Sequence, residues 1–416
     1  MSDSHKLQRA AVKVTLDKVM KYIDKNPQEN ICKMLSVAEK LTKNIFPAGN
    51  LKKMKEVVRD DNNVWTKYAL GILNDIDRDV IKKMIMAFGF DAGYYGTKTV
   101  RRNREKLHCN VPFIILFDPT SACNLHCKGC WAAEYGHKQS LTFDELNSIV
   151  NQGVAMGTHF YMFTGGEPLL HKERVAAFFK RAVDLYPGVH MRLYTNGDLL
   201  DERVIADLAE SGLVEIRFSV KPRDFDSCQE HAFAMMEKAV AALPDVVVEV
   251  PVIPGTLDEM KALLRRAAAI GVRGVNLLEF CFPLTNAEEF CARGLKLRKQ
   301  PYRFLYDYWY NGGVPVARSE CEALELVEFA AAENLEMGIH YCSADNRNSA
   351  QVNLQNKPFA ASPGLQAAYP WMGRSGDDPF LKCAKAFGDD AAAVRDWAAD
   401  TGVPCDFNPA VPSAAI

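Results

Sequence analysis

Between residues 109 and 312, short apolar runs alternate regularly with stretches of helical periodicity. The runs are rich in β-branched and aromatic residues, which is typical of strands buried on both faces. They begin at Phe113, His159, His190, Glu215, Val246 and Gly274. The helical patterns between them cover residues 142–155, 172–185, 202–211, 229–243 and 257–269. This alternation predicts six parallel strands joined by crossover helices.

Six such strand–helix units would close about three quarters of an eight-stranded barrel. The predicted fold class is therefore α/β, a partial (βα)6 TIM-like barrel over residues 109–312. We expect a helical N-terminal region over residues 1–108 and an irregular C-terminal extension over 313–416. Ligands of such folds bind at the carboxyl ends of the strands. Two unusual segments fall at that edge, each just after a predicted strand.

The first of these segments is "DPTSACNLHCKGCWAAEYG", which holds Cys123, Cys127 and Cys130 in the pattern C-x3-C-x2-C. A structural zinc site uses four ligands and closes its coordination sphere, and no fourth cysteine lies beside these three. Three thiolates on a four-iron cluster leave one iron open to a ligand that supplies nitrogen and oxygen. Zinc binding and chance clustering of core cysteines are the alternatives.

The second segment follows the second predicted strand and reads Gly165-Gly166-Glu167-Pro168. Glycines let a backbone approach a neighbour closely, because they carry no Cβ atom. A glutamate beside them can accept a hydrogen bond from a cation.

The two segments together, on this strand pattern, resemble the radical S-adenosylmethionine (radical SAM) superfamily. The resemblance implies a four-iron four-sulfur cluster on Cys123, Cys127 and Cys130, with S-adenosylmethionine on the open iron. One electron from a flavodoxin- or ferredoxin-type donor would cleave S-adenosylmethionine to a 5′-deoxyadenosyl radical, which abstracts hydrogen from a substrate. The family usually has an aromatic residue just before the third cysteine, where this chain has Gly129.

The resemblance also implies cofactor contacts along the strand ends. Gly165, Gly166, Glu167 and Pro168 would line the methionine moiety, with Glu167 accepting from its ammonium group. The third and fourth strands would add contacts to the ribose and the carboxylate through Thr195, Asn196 and Ser219, for which ordinary strand-end capping is the alternative. Lys221 and Arg223 either pair with the carboxylate or are simply solvated.

A narrower resemblance is to radical SAM proteins of anaerobic bacteria that have an N-terminal helical region and a SPASM-like C-terminal region. Several of these bind a second iron–sulfur cluster. This chain lacks the dense cysteine run of full SPASM domains, but Cys321, Cys342 and Cys383 lie roughly where related proteins place ligands. The alternative is that these three are small buried hydrophobes.

The N-terminal region carries several stripes of apolar residues at helical spacing, for example Trp65, Tyr68, Ile72 and Leu73. Helix–helix packing explains them, and a docking face is the alternative. Its last apolar run, Met84 to Gly96, contains Met, aromatic residues and glycines. We interpret the first half of this run as core and the second half as a loop that lies over the barrel mouth or lines a substrate channel.

The C-terminal extension shows one clear helical pattern, over residues 322–333. The tail after it is rich in Ala, Pro and Gly and ends "DFNPAVPSAAI", so we expect it to be irregular.

Composition excludes several function classes. The formal charge of −2 gives no reason to expect nucleic acid as a partner. No window is apolar enough for a membrane span, and the N-terminus has no secretory signal pattern. Twelve cysteines in such a chain favour a reducing cytoplasm.

Two function classes stay open. The first is a radical SAM enzyme that acts on an unidentified peptide, protein, small molecule or lipid. The second is an iron–sulfur electron-transfer or binding protein without radical chemistry, which would not need the "GGEP" segment. A B12-binding signature is not found before the barrel.

Overall fold

The computed structural model describes most of the chain. The described residues are 3–41, 48–75, 78–128, 130, 139–221, 229–282, 287–298, 315–346, 385–387, 389–409 and 413–415. Arg223 and Cys383 lie outside these residues, as do Gly129 and the end of the predicted core at residue 312.

A curved parallel sheet of seven strands forms the centre of the molecule, with its strands in chain order. The strands are β1 Ile114–Phe117, β2 Phe160–Phe163, β3 His190–Thr195, β4 Glu215–Ser219, β5 Asp245–Val252, β6 Gly274–Glu279 and β7 Gly338–Cys342. The partial barrel is confirmed, with all six predicted strands. The sheet also continues past residue 312, since β7 comes from the segment that we assigned to the C-terminal extension.

Strand β7 was missed because its sequence, "GIHYC", does not read as a buried run. It is an edge strand that pairs only with β6 in this sheet, and its residues are half-buried or exposed. An edge strand needs less apolar sequence than a central one, since it is covered on fewer sides.

Crossover helices cover the outer face of the sheet and match the predicted patterns closely. They are α7 Phe143–Met156, α8 Lys172–Leu185, α9 Glu202–Glu210, α10 Gln229–Ala242, α11 Leu257–Ile270 and α13 Ser319–Ala332. Thr142 and Glu145 form a capping box at the start of α7, and Gly157 ends that helix in a left-handed conformation. A short helix, α12 Ala287–Ala292, lies between β6 and α13.

The hydrophobic core lies between the sheet and these helices. Strand β5 shows the division, because Val246, Val248 and Val250 are buried in this core while Asp245 and Glu249 point to the other face. The concave inner wall of the barrel is therefore partly polar, and it carries charged residues where a structural core would be apolar.

The N-terminal region is helical, as predicted. Its helices are α1 Asp3–Lys25, α2 Pro27–Leu41, α3 Ala48–Arg59, α4 Val64–Asp75, α5 Arg78–Met84 and α6 Thr97–Leu107. A small core of its own includes Leu16, Met20 and Ile81. Helix–helix packing does not explain the whole apolar stripe predicted on α4, because the side chains of Trp65 and Tyr68 are 68% and 43% exposed.

The run that we interpreted as a loop over the barrel mouth is a π-helix, Ile85–Gly96, and it lies at the opposite end of the barrel. The ring of Phe88 lies 5.2 Å from that of Phe160 and 4.8 Å from that of His190, which begin β2 and β3. The interpretation was wrong in position. An apolar run shows that a segment is covered, but not which end of a barrel it covers.

The tail expected to be irregular contains a small antiparallel sheet in the order β8–β10–β9. Its strands are β8 Lys385–Phe387, β9 Asp406–Asn408 and β10 Ser413–Ala415. Two short helices complete the described elements, α14 Ala344–Asn346 and α15 Asp389–Thr401. In the part of the chain that is described, no helix has the length and apolar character needed to cross a membrane.

Candidate functional site

The cysteine loop leaves β1 at the carboxyl edge of the sheet and is held on two sides by its backbone. On one side Ser121 N donates to Gln139 O over 2.8 Å. On the other, Gly166 N donates to Thr120 O over 3.0 Å and Glu167 N donates to Ala122 O over 2.8 Å. The "GGEP" segment therefore anchors the residues that immediately precede Cys123.

Both glycines of that segment are required by this contact. A Cβ atom on Gly166 would lie 2.0 Å from the carbonyl oxygen of Ala122. Gly165 has φ +99°, which disfavours other residues, and a Cβ there would lie 2.9 Å from Thr120 O. The close backbone approach expected from the sequence is thus made to the cysteine loop itself.

Glu167 joins this segment to the end of β3. Its side chain is 1% exposed; Oε1 accepts from Thr195 Oγ1 at 2.9 Å and from Leu169 N at 3.0 Å. Oε2 accepts from Asn196 N at 2.8 Å. Burial raises the pKa of the Glu167 carboxyl to about 7, although these three donors oppose the rise. Its expected role as ammonium acceptor stays a prediction.

The end of β3 in turn contacts the cysteine loop through side chains. Asn196 Nδ2 donates to Asn124 Oδ1 over 3.0 Å and lies 4.0 Å from the Cys123 sulfur. Asn124 Nδ2 donates to Asp198 Oδ2 over 2.8 Å. Sequence reasoning missed Asn124 and Asp198, and their only signal is a polar residue next to a motif, in "CNLHC" and "TNGD".

The three motif cysteines are half-buried on this loop. Burial raises the pKa of the Cys123 thiol, and the nearby Glu167, Cys130 and Cys127 raise it further. Bound iron would reverse this trend, since a coordinating thiol is deprotonated. The irregular backbone and the mutual proximity of three thiols fit a cluster.

Among the described residues, no three His, Cys, Asp or Glu side chains converge on the position of a single metal ion.

The remaining predicted site residues lie on several different elements. Pro168 starts a short 3₁₀ helix after Glu167, and Ser219 ends β4 on the inner wall. Lys221 Nζ donates to the carbonyl oxygen of Lys128 over 3.2 Å, so it contacts the cysteine loop. Lys128 Nζ also lies 2.6 Å from the Glu289 carboxylate on α12.

The two described cysteines among those considered for a second cluster lie on different elements. Cys321 is exposed on α13, and Cys342 is half-buried at the end of β7. Together with Cys383, which is not described, they stay a prediction.

Comparison with known families gives one match to this part of the chain. Residues 117–267 match the model of the Radical SAM superfamily. This part of the chain is therefore similar to the radical SAM domain. Proteins of the radical SAM superfamily use a four-iron four-sulfur cluster and S-adenosylmethionine, and they need an electron donor and a substrate.

Curated relatives also match a part of the chain. GTP 3′,8-cyclase of Alkaliphilus oremlandii is 33% identical over 115 residues, which are 27% of this chain and 35% of the relative. AdoMet-dependent heme synthase of Methanosarcina barkeri is 28% identical over 113 residues, which are 27% of this chain and 32% of the relative. The radical SAM match thus spans about a third of the relatives' length.

Among solved structures, Streptococcus suis SuiB bound to S-adenosylmethionine is similar with a TM-score of 0.47 and 12% identity. That similarity covers 74% of this chain and 65% of SuiB. Native anSMEcpe with bound AdoMet and a peptide is similar with a TM-score of 0.39 and 16% identity, over 55% of this chain and 63% of that one.

Proposed function

We propose that the protein is a radical SAM enzyme whose cluster is bound by Cys123, Cys127 and Cys130 and whose cofactor site is formed by the carboxyl ends of β1–β4. The observation that carries this proposal is the anchoring of the cysteine loop by Gly166 and Glu167. An iron–sulfur protein without cofactor chemistry needs the three thiols but has no use for an open site beside them.

When bound, the cluster would supply the electron for cleavage of S-adenosylmethionine to methionine and a 5′-deoxyadenosyl radical, which would remove a hydrogen atom from the substrate. The protein's residues hold and orient these groups. Glu167 fixes the backbone of Asn196 and the hydroxyl of Thr195, and thereby the end of β3 next to Cys123. Ser219 lies at the end of the neighbouring strand and would contact the same cofactor.

The partners follow from this chemistry. A one-electron donor of flavodoxin or ferredoxin type would reduce the cluster, and the protein would act in the cytoplasm. The inner wall and open side of the barrel would bind the substrate. Both a peptide or protein and a small molecule or lipid stay open as substrate classes.

The test uses the full chain with its cluster reconstituted without oxygen. With dithionite and S-adenosylmethionine, we expect release of 5′-deoxyadenosine and a cluster electron paramagnetic resonance signal that changes when S-adenosylmethionine is added. Replacing Cys123, Cys127 and Cys130 together by Ala should abolish both. The matched control is Cys109→Ala, because Cys109 is an exposed cysteine outside the loop. An unchanged cofactor response in the triple variant would reject the assignment.

A further inference from the structure

Four polar side chains form a row across the concave inner wall of the barrel. Ser219 of β4 pairs in register with Glu249 of β5, Glu249 with Asn276 of β6, and Asn276 with His340 of β7. Their neighbours along each strand pack into the core on the other face of the sheet. We call Ser219, Glu249, Asn276 and His340 the inner-wall row.

The inner-wall row lies level with the proposed cofactor site. Thr195 pairs with Phe218, so the next residues, Asn196 and Ser219, lie side by side at the carboxyl ends of β3 and β4. Adjacent strands are about 4.8 Å apart, so His340 lies three strand spacings from Ser219 along the curved wall. A substrate that reaches a radical formed near Ser219 would therefore lie along this row.

Hydrogen bonds within the row orient each side chain. Glu249 accepts from Arg217 Nη1 at 2.8 Å and from Asn276 Nδ2 at 2.7 Å. Asn276 Oδ1 lies 2.6 Å from Nδ1 of His340. Arg217 is itself held by Glu215, over 2.5 Å, so the orientation of the row rests on an ion-pair network below it.

This order of partners determines which imidazole nitrogen of His340 carries the proton. The Glu249 carboxylate is paired with Arg217 and acts as an acceptor, so the amide of Asn276 must turn its NH₂ group towards it. The oxygen of Asn276 then faces His340 and can only accept, so Nδ1 of His340 must be the donor. In the neutral imidazole, Nε2 is left as an acceptor. The imidazole is exposed to the open barrel.

We propose that Nε2 of His340 is a substrate-binding acceptor that selects a substrate with an O–H or N–H group, and that Asn276 and Glu249 are positioning residues that set its tautomer. This inference rests on the proposed function for the presence of a substrate in the barrel. The substrate class is a molecule that donates a hydrogen bond to the β7 side of the wall. A group that offers only acceptors, such as an ether or an ester, has no partner at Nε2.

The tautomer can be measured on the full chain labelled with ¹⁵N-histidine, by side-chain nuclear magnetic resonance near pH 7.5. The His340→Gln variant identifies the signals of His340. We expect Nδ1 to carry the proton and Nε2 to have the shift of a bare nitrogen. A His340 ring protonated on Nε2 in the unaltered protein would overturn the proposal.

Two variants test the positioning residues. Asn276→Leu removes the acceptor, and Glu249→Gln lets the Asn276 amide turn around, so each should shift the His340 proton towards Nε2. Asn103→Leu is the control, because Asn103 binds carbonyl groups of α7 far from this wall. If the tautomer were unchanged in both variants, Asn276 and Glu249 would not set it.

A pair of small probes tests the preference for donors. 1,2-Propanediol has two O–H groups, and 1,2-dimethoxypropane has the same carbon chain without a donor. We expect the diol, and not the ether, to shift the Nε2 signal of His340 more than that of His108, which is exposed at the end of α6. Equal shifts at the two histidines would mean that exposure alone is responsible and would overturn the donor site.

None of these measurements requires the cluster or S-adenosylmethionine. A failure here would leave the 5′-deoxyadenosine assay unaffected, and a protein that forms no 5′-deoxyadenosine would not change the tautomer of His340. The two proposals can therefore fail separately.

Discussion

The glycine at position 166 is the residue on which the cysteine loop packs most tightly. It lies so close to the Ala122 carbonyl group that any side chain must displace one of the two segments. Displacement would move Cys123, which follows Ala122 directly. The loop is thus held in place by backbone contact, before any metal binds.

We predict that Gly166→Ala lowers the free energy of unfolding by about 1–3 kcal/mol, the usual cost of overpacking. Iron bound per chain after reconstitution should fall several-fold, because the displaced loop no longer presents its thiols together. Chemical denaturation and iron analysis measure the two effects. Gly49→Ala is the control, since no atom lies within 4 Å of a Cβ at that position. Full iron binding by the Gly166 variant would contradict this account.

Glu167 acts on the same loop from the other side, through hydrogen bonds to β3. Because its carboxylate binds three protein donors, we expect Glu167→Gln to destabilise even the protein that lacks cluster and cofactor. The expected loss is about 1–3 kcal/mol, because at least one buried donor loses its acceptor. Urea denaturation of the cluster-free protein measures it, with exposed Glu336→Gln as the control.

The effect of Glu167 on cofactor binding is measured separately from its effect on stability. If Glu167 also accepts from the methionine ammonium group, Glu167→Ala should weaken S-adenosylmethionine binding by about 1.5–3 kcal/mol in calorimetry. Unchanged affinity would show that Glu167 serves the fold alone.

At the scale of elements, the amino-terminal halves of β3, β4 and β5 are joined by a buried ion-pair network on the inner wall. Glu215 lies 2.6 Å from Arg192 and 2.5 Å from Arg217. Burial alone would raise the pKa of Glu215, but His190, whose Nε2 lies 3.5 Å from the carboxylate, and the charges of Arg217 and Arg192 lower it to about 2. The neighbouring Asp245 has its pKa raised to about 6, chiefly by burial and by the charge of Glu215.

These shifts have opposite consequences for stability. Glu215 ionises near pH 4.5 when unfolded, so its contribution is complete above that pH and is lost as pH falls towards 2. The full contribution is about 3 kcal/mol, at 1.36 kcal/mol per pKa unit. Asp245 acts in the opposite direction. Its carboxyl ionises near pH 4 in the unfolded chain but stays protonated in the folded protein up to about pH 6, so the free energy of unfolding falls as pH rises from about 4 to about 6.

We therefore predict that Glu215→Gln flattens the acid limb of the stability curve. Between pH 4.5 and pH 3, the free energy of unfolding should fall less steeply than in the unaltered protein, although the variant is less stable at pH 7. Urea denaturation at a series of pH values gives both curves. Parallel curves below pH 4.5 would mean that Glu215 titrates normally in the folded protein.

Helix α1 and the π-helix are joined by another buried charge. Asp91 is fully buried and accepts from His5 Nε2 at 2.8 Å and from Arg9 Nε at 3.0 Å. We predict that Asp91→Ala destabilises the fold by about 3–5 kcal/mol, since it leaves a charged partner uncompensated. The cluster signal of the folded fraction should persist, because this contact lies at the barrel end remote from the cysteines. Exposed Asp79→Ala should cost far less.

At the scale of the whole molecule, the helical N-terminal region covers the amino ends of the strands, and the cysteine loop lies at their carboxyl ends. The helical N-terminal region therefore packs against the end of the barrel opposite the cysteine loop. On the side of the site, α12 contacts the cysteine loop through Glu289 and Lys128.

The C-terminal cysteines give a prediction at the same scale. If they bind a second four-iron cluster, reconstituted protein should contain about eight iron atoms per chain, against about four for one cluster. The Cys123, Cys127 and Cys130 triple variant should then keep about half of its iron. Loss of all iron in that variant would show that Cys321, Cys342 and Cys383 are structural.

The sequence by itself determined the barrel, and it predicted the chemistry of the cysteine loop. Six of the seven strands were readable because each sends alternate apolar side chains into the core, and the first, "FIILFD" before the cysteines, is apolar almost throughout. The cysteine pattern was readable because the spacing of ligands is a local property of one loop. Both signals lie within a few consecutive residues, so no knowledge of distant contacts was needed.

Only the tertiary structure decided which distant residues meet. It placed the apolar run before Gly96 at the bottom of the barrel, added β7 to the sheet, and engaged Glu167 with Thr195 and Asn196. It also aligned Glu249, Asn276 and His340 across three strands. Their sequence separations carry no periodic signal, because strand register and barrel curvature bring them together. The sequence pattern shows which residues must be buried. The packing of the complete chain determines which partners they contact.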